Sequence, residues 1–247
     1  MVNIIILAGS QPIKTWDDKG NKALFQINGK MMVEYVIEAA RGVDDIQKIV
    51  LVGDKSELES TLSQKVDAII DSKGSMLENV MAGIKYLNDR EFVLVCSSDI
   101  PFITSDAIKD FIDRAKETGA DFCYPIVEKN ESDKKFPDMK RTFVKTKEGL
   151  FTGGNIFYIN PAVVESCFEI ADKLIQARKN PFKMARILSP VLLISLATGK
   201  LSIKKAEKRF SKIMGIKARA IISSYPEVGN DVDKPDDVMA ASVYLAK

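Results

Sequence analysis

Val2-Asn3-Ile4-Ile5-Ile6-Leu7-Ala8-Gly9-Ser10 is a mainly β-branched, apolar run that stops on small residues. A continuous apolar run of this length bounded by a turn is the pattern of a strand buried on both faces. It recurs at Lys48–Gly53 and Phe92–Cys96, with helical patterns between. Val33, Val36, Ile37 and Ala40 share one face of a helix. Ser75 and Glu78 form a Ser-x-x-Glu capping box ahead of a stripe of Leu77, Val80, Met81 and Ile84. Ile108, Phe111, Ile112 and Ala115 repeat the stripe over Thr104–Thr118, which Gly119 closes. The alternation predicts an α/β fold of three layers, α-β-α, with a mostly parallel sheet covered by helices on both faces.

Farther along, the pattern changes. Glu128–Arg141 is polar and holds Pro137, which reads as a loop. Arg141–Lys147 and Asn155–Asn160 read as strands around a glycine-containing turn at Gly149–Gly154. Pro161–Phe210 reads largely helical, Lys217–Ile222 as a last strand, and a final helix is expected from Pro235. The expectation is a single domain, 1–247, with 161–215 a mainly helical inserted region.

Composition narrows the chemistry. The chain has 247 residues, 36 Lys+Arg against 34 Asp+Glu, three cysteines and no histidine. Without histidine there is no Ser-His-Asp or Cys-His hydrolase, no imidazole metal ligand and no imidazole proton shuttle. Reactions that rest on charge stabilisation remain open. Cys96, Cys123 and Cys167 are too far apart for a Cys-x-x-Cys site and odd in number, which fits a reduced, cytoplasmic chain. The apolar runs Ile4–Ala8 and Val191–Ala197 are too short for a signal segment or a membrane span, so no membrane partner is expected. Charge is uneven: Lys173–Arg219 holds thirteen Lys+Arg against the single acid Glu207, a formal +12. Either this face attracts an anion or it is a solvated helix surface. With only Phe182 and Phe210 available for stacking, nucleic acid is a poor match.

Three polar segments follow predicted strands, at the sheet edge where α/β folds bind ligands. Leu7-Ala8-Gly9-Ser10, running on through Lys14 to Lys22, either permits close backbone approach to phosphate, with Lys22 as the cation, or is a plain turn with surface lysines; no Walker pattern is present. Ser98-Asp99-Ile100-Pro101 puts a carboxylate where a divalent cation can be held, or where it merely starts a turn. Asp231-Val232-Asp233 offers two more acids, although Asp233 can equally cap the final helix. Gly153-Gly154-Asn155 is either a ligand-contacting turn or a plain hairpin, and Gly74-Ser75 either touches a base or only caps a helix.

In this order the segments resemble the MobA-like NTP transferase family, with its GT-A-type nucleotidyltransferase fold. The resemblance rests on Leu7-Ala8-Gly9, Lys22-Ala23-Leu24 with Asn28-Gly29-Lys30, Gly74-Ser75, Ser98-Asp99-Ile100-Pro101, Thr152-Gly153-Gly154-Asn155 and Asp231–Asp237. It implies that Leu7, Ala8, Gly9, Ser10, Lys14 and Ser98 line the nucleotide site, that Gly74 and Ser75 meet the base, and that Lys22 neutralises the triphosphate. It further implies Mg²⁺ on Asp99 and Asp233, with Asp231 the competing ligand, and an acceptor near Gly153, Gly154 and Asn155. Lys22, Asp99 and Asp233 would then be the catalytic set. The partners implied are an NTP and a phosphorylated small molecule, and a homo-oligomer is compatible. One departure matters: Gly9 is followed by Ser10, not a second glycine, and the family's arginine on that loop is missing. This departure leaves open a nucleotide-binding module without catalysis; a nucleotide-sugar glycosyltransferase on the same fold is the other alternative, against which stands the lack of an Asp-x-Asp at the strand end near Asp99.

Overall fold

The computed structural model describes residues 1–9, 20–177 and 180–246; Ser10 and Lys14 lie outside them. After β1 (Val2–Ala8) come a 3-10 turn (Lys22–Leu24), a ribbon of β2 (Gln26–Ile27) and β3 (Lys30–Met31), and α1 (Met32–Arg41). Next are β4 (Ile46–Gly53), α2 (Lys55–Leu62), β5 (Ala68–Asp71), α3 (Met76–Leu87), β6 (Val93–Ser97), α4 (Ser105–Thr118) and β7 (Phe122–Glu128). Then follow α5 (Lys129–Lys135), β8 (Val144–Lys145), β9 (Leu150–Gly153) and β10 (Ile156–Ile159). Four helices succeed them: α6 (Pro161–Ala177), α7 (Pro181–Leu188), α8 (Pro190–Ala197) and α9 (Ile203–Met214). β11 (Ala218–Ser223), a 3-10 turn (Pro226–Gly229) and α10 (Pro235–Tyr244) complete the set.

The strands pair in the order β5-β4-β1-β6-β10-β7, with β9 and then β8 continuing the sheet beside β7 and β11 also pairing with β7. β9 and β10 run against the other members of this sheet. Alternate residues of β1 feed two different cores, as expected for a strand covered on both sides. Ile4 and Ile6 pack with Val33, Val36, Phe111 and Ile112 on one face. Ile5 packs with Leu77, Val80 and Val164 on the other. The mostly parallel α/β architecture read from the chain is therefore present.

Local signals set the helix ends. Ser75 Oγ accepts from Glu78 N at 3.2 Å while Glu78 Oε2 accepts from Ser75 N at 2.8 Å, the reciprocal box that starts α3. Thr104 caps α4 and Gly119, at φ +54, ends it. Two expectations fail. The polar stretch after Glu128 is not wholly loop, because α5 forms there, with Lys129 and Asp133 paired one turn apart. The turn expected at Gly149–Gly154 is largely β9, whose Thr152 and Gly153 pair with Val127 and Ile126. Ile126 opposes Gly153 while Cys123 opposes Tyr158, five steps along one strand against three along the other. This bulge at Gly154-Asn155 joins β9 to β10, which a hairpin reading could not show.

Close packing between layers makes one glycine diagnostic. A Cβ on Gly83 of α3 would stand 2.7 Å from Ile5 Cδ1 and 2.9 Å from its Cγ1, and Ile5 is fully buried. Gly83→Ala gains about 1 kcal/mol of helix propensity. Overpacking costs about 1–3 kcal/mol. We expect net destabilisation of up to about 2 kcal/mol, read as a lower urea midpoint at unchanged slope.

Candidate functional site

The polar segments meet at one edge of the sheet. β1 and β6 end there, the loop after β11 returns there, and the reversed β10 starts there. Placing an antiparallel strand between β6 and β7 is what puts Asn155, at the beginning of β10, beside residues that follow parallel strands.

Ser98 N donates to Leu7 O at 3.2 Å, tying the two strand ends together. Asn21 Nδ2 donates to Ala8 O at 3.3 Å, and Asn21 Oδ1 accepts from Ala23 N at 3.0 Å. Asn21 thus caps the turn that begins with Lys22 and fastens it to β1. Lys22 Nζ then lies 2.5 Å from Asp99 Oδ2 and 2.5 Å from Asp233 Oδ1. Ser97 Oγ donates to Asp99 Oδ1. The main chain adds a further link, since Val232 N donates to Asp99 O at 2.9 Å.

Asp233 does not cap the last helix. Asp237 Oδ2 accepts from both Asp233 N, 2.9 Å, and Lys234 N, 3.0 Å, which leaves the Asp233 carboxylate to face Lys22. Asp231 faces a different cation. Arg141 Nη1 pairs with Asp231 Oδ1, Nη2 donates to Asp231 O at 3.0 Å, and Nε donates to Asn230 Oδ1 at 3.0 Å. Asn155 Nδ2 donates to Asp231 Oδ1 at 3.4 Å. The carboxylates of Asp99, Asp231 and Asp233 each offer an oxygen within 4.8 Å of the others.

The charges are strongly coupled. Burial alone would lower the Lys22 pKa, but Asp99 and then Asp233 outweigh it and the value is raised, so the ammonium form is held. The Asp231 carboxyl is pushed up to about 6 by burial first and by Asp99 next, against the lowering pull of Arg141. Lys22 and Asp99 side chains are 15% and 17% exposed, whereas Asp233 is 42% exposed and marks the open side. An all-oxygen donor set of this charge suits a hard divalent cation such as Mg²⁺ and lacks the nitrogen or sulfur ligands that zinc favours.

Other candidates stand apart. Gly74, at φ +117, and Ser75 start α3 on the same sheet edge, and the capping box accounts for the Ser75 hydroxyl. A Cβ on Gly9 would stand 3.4 Å from Asn79 Nδ2, so this glycine lets β1 end close against α3. Gly153 and Gly154 have packing reasons of their own: a Cβ would meet Tyr124 Oη at 2.4 Å or Pro125 Cγ at 2.7 Å. Sequence reasoning missed Asn21 and Arg141, and it met Ser97 and Asn230 only as members of the segments Ser97–Phe102 and Gly229–Asp237, without a role of their own. Asn21, one residue before a short turn, carries a legible cap signal. Arg141 carries none, lying in a polar stretch with no periodicity. Asn21→Ala should cost about 1 kcal/mol as a lost cap. Because it also frees the Lys22 turn from Ala8, catalytic rate should fall more than stability does, which paired rate and thermal measurements would show.

The open α/β sheet gathers a lysine and three carboxylates at the edge where folds of this class bind their ligands. The chain belongs to the family of MobA-like NTP transferase domains, whose model matches residues 4–195. Among solved structures, a hypothetical transferase from Thermus thermophilus is 34% identical, covers 96% of this chain and 99% of its own, and superposes with a TM-score of 0.82. A 2-C-methyl-D-erythritol 4-phosphate cytidylyltransferase of Clostridium tetani is 29% identical over 49% of this chain and 51% of its own length. A probable molybdenum cofactor guanylyltransferase of Thermococcus gammatolerans is 25% identical over 59% of this chain and 74% of its own. The chain spans about half the length of the cytidylyltransferase it matches.

Proposed function

We propose that this chain transfers a nucleotidyl group from an NTP to a phosphorylated small molecule with release of pyrophosphate. The observation that carries the reading is Lys22 held between Asp99 and Asp233 at the carboxyl edge of the sheet. An acceptor phosphate oxygen bonds to the α-phosphorus as the bond from that phosphorus to the bridging oxygen breaks, and the electron pair leaves with pyrophosphate. An acceptor phosphate is ionised near neutral pH, so the chemistry asks for positioning and charge neutralisation and no histidine base. Lys22 supplies one positive charge on the triphosphate, and the backbone of Leu7, Ala8, Gly9 and Ser98 borders it. Gly74 and Ser75 are the base side, and Asn155 with Gly153 and Gly154 the acceptor side. Mg²⁺, held by Asp99 and Asp233, would add Lewis-acid stabilisation of the phosphoryl oxygens. Asp231 is the weaker ligand candidate because Arg141 and Asn155 already engage it.

The names of the cytidylyltransferase and the guanylyltransferase support this reading, since both describe a nucleotidyl transfer. A second reading has one observation in its favour: Asp231-Val232-Asp233 stands beside Asp99, an acid-x-acid pair of the sort that holds a metal on a nucleotide-sugar. A thermal-shift screen of the four NTPs with Mg²⁺, followed by pyrophosphate release with phosphorylated acceptors, tests the first reading. Stabilisation by an NTP with acceptor-dependent pyrophosphate supports it. NTP binding with no pyrophosphate from any acceptor would make the chain a binding module, and turnover of nucleotide-sugars alone would make it a glycosyltransferase.

A further inference from the structure

α8 is a surface helix with no charged residue, Pro190-Val191-Leu192-Leu193-Ile194-Ser195-Leu196-Ala197. One side is accounted for: Leu192 is buried with Leu188, Ala185, Cys167, Leu174 and Met214. The opposite side presents Val191, 69% exposed, and Ile194, 64% exposed, one turn apart. On α7, Phe182 is 54% exposed and shares a helical row with the exposed Arg186. A helix that is apolar on its solvent side as well as its core side has surface left to cover.

The surroundings indicate what covers it. Lys183 and Arg186 precede α8, while Lys200, Lys204 and Lys205 follow it, all exposed. Arg209 Nε donates to Leu188 O at 2.7 Å, placing a further guanidinium at the joint between α7 and α8. Glu207, the single acid of Lys173–Arg219, accepts from Ala220 N at 2.7 Å, and Glu148, packed against the start of α9, accepts from Ile203 N at 3.2 Å. A second copy would bring the exposed lysines and arginines that flank α8 in one chain toward those of the other. A polyanion such as nucleic acid would use the charges and leave Val191, Ile194 and Phe182 uncovered. An anionic lipid surface takes both, apolar side chains entering the acyl boundary while basic ones meet headgroups.

We propose that the α7–α8 segment is a docking surface for anionic lipid bilayers. Among the described residues no helix is long and apolar enough to cross a membrane. Lying on the surface is a separate requirement, which the absence of a span does not address.

The test is co-sedimentation of the full chain with phosphatidylcholine vesicles, with and without about 30 mol% phosphatidylglycerol. Expected is partition onto the anionic vesicles at least about tenfold above the neutral ones, weakened by salt. Val191→Glu/Ile194→Glu and Lys183→Glu/Arg186→Glu change exposed positions only, and each should lose at least about fivefold with melting temperature kept. No partition, or equal partition onto both vesicles, overturns the proposal. So does binding lost on charge reversal but kept in Val191→Glu/Ile194→Glu, which would mark a polyanion site. A concentration-dependent dimer by light scattering that Val191→Glu/Ile194→Glu abolishes would assign the face to a second copy.

Discussion

Asp99→Asn should lower NTP-dependent pyrophosphate release by about a hundredfold to a thousandfold while the chain stays folded. Asparagine keeps the shape of the side chain. Its oxygen can still face Lys22, which Asp99 Oδ2 contacts at 2.5 Å, and its amide can donate to Ser97 Oγ, the present donor to Oδ1. The link from Val232 N to the residue 99 carbonyl is untouched. What disappears is the negative charge that orients Lys22 and that would hold a divalent cation over the triphosphate. Asp233→Asn should act similarly, since its carboxylate is the other half of the Lys22 clamp. Asp231→Asn should cost less, because that side chain is occupied by Arg141 and Asn155. Initial rates at saturating Mg²⁺, with circular dichroism as the folding control, decide the matter. Wild-type rates in both Asp99→Asn and Asp233→Asn would remove the metal and clamp assignment together.

Lys22→Met should be the most destabilising of the site variants. It removes the cation between two carboxylates and leaves Arg141 as the remaining cation paired with the cluster among the described residues. Breaking a largely buried pair costs about 3–5 kcal/mol, and the 42% exposure of Asp233 places this case near the lower bound. For a chain of this length, about 3 kcal/mol corresponds to a melting temperature lower by about 6–12 °C. The pH dependence has a defined sign. The native pKa of Lys22 is raised above its ordinary value of 10.5, so the contribution is fully present below that value. It is lost as pH rises through the native pKa, and the gap between wild type and Lys22→Met should close only in strong alkali. Thermal melts in chelator from pH 7 to about pH 11 would check this. A variant as stable as wild type at pH 7 would mean that solvent already screens the clamp. Lys22→Arg should restore more stability than activity, because the planar fork cannot sit as a point charge between two separate carboxylates.

The two parts of the molecule were unequally legible. β1, β4 and β6 declared themselves because a strand covered on both faces must be apolar at nearly every position. α3 did so through a capping box whose partners lie three residues apart, and α4 through its apolar stripe and the Gly119 that closes it. β9 and the bulge at Gly154-Asn155 were hidden, since glycines marking a bulge look locally like glycines marking a turn. The site followed the same division. Asp99 and Lys22 could be placed at the ligand edge because each follows a recognisable strand or turn. The resemblance put Asp233 ahead of Asp231, but whether the Asp233 carboxylate is spent on a local cap was not legible, and in the structure Asp237 takes that role.

By itself the sequence determined a histidine-free chemistry, a parallel α/β frame and an edge on which acids and lysines collect, since periodicity, capping and composition act over a few residues. Only the tertiary structure decided which carboxylates clamp Lys22, that Arg141 takes the third, and that Asn155 joins them. Those contacts span 76 to 211 residues of chain, and their partners are chosen by strand order and by the reversed β10, neither of which leaves a local trace.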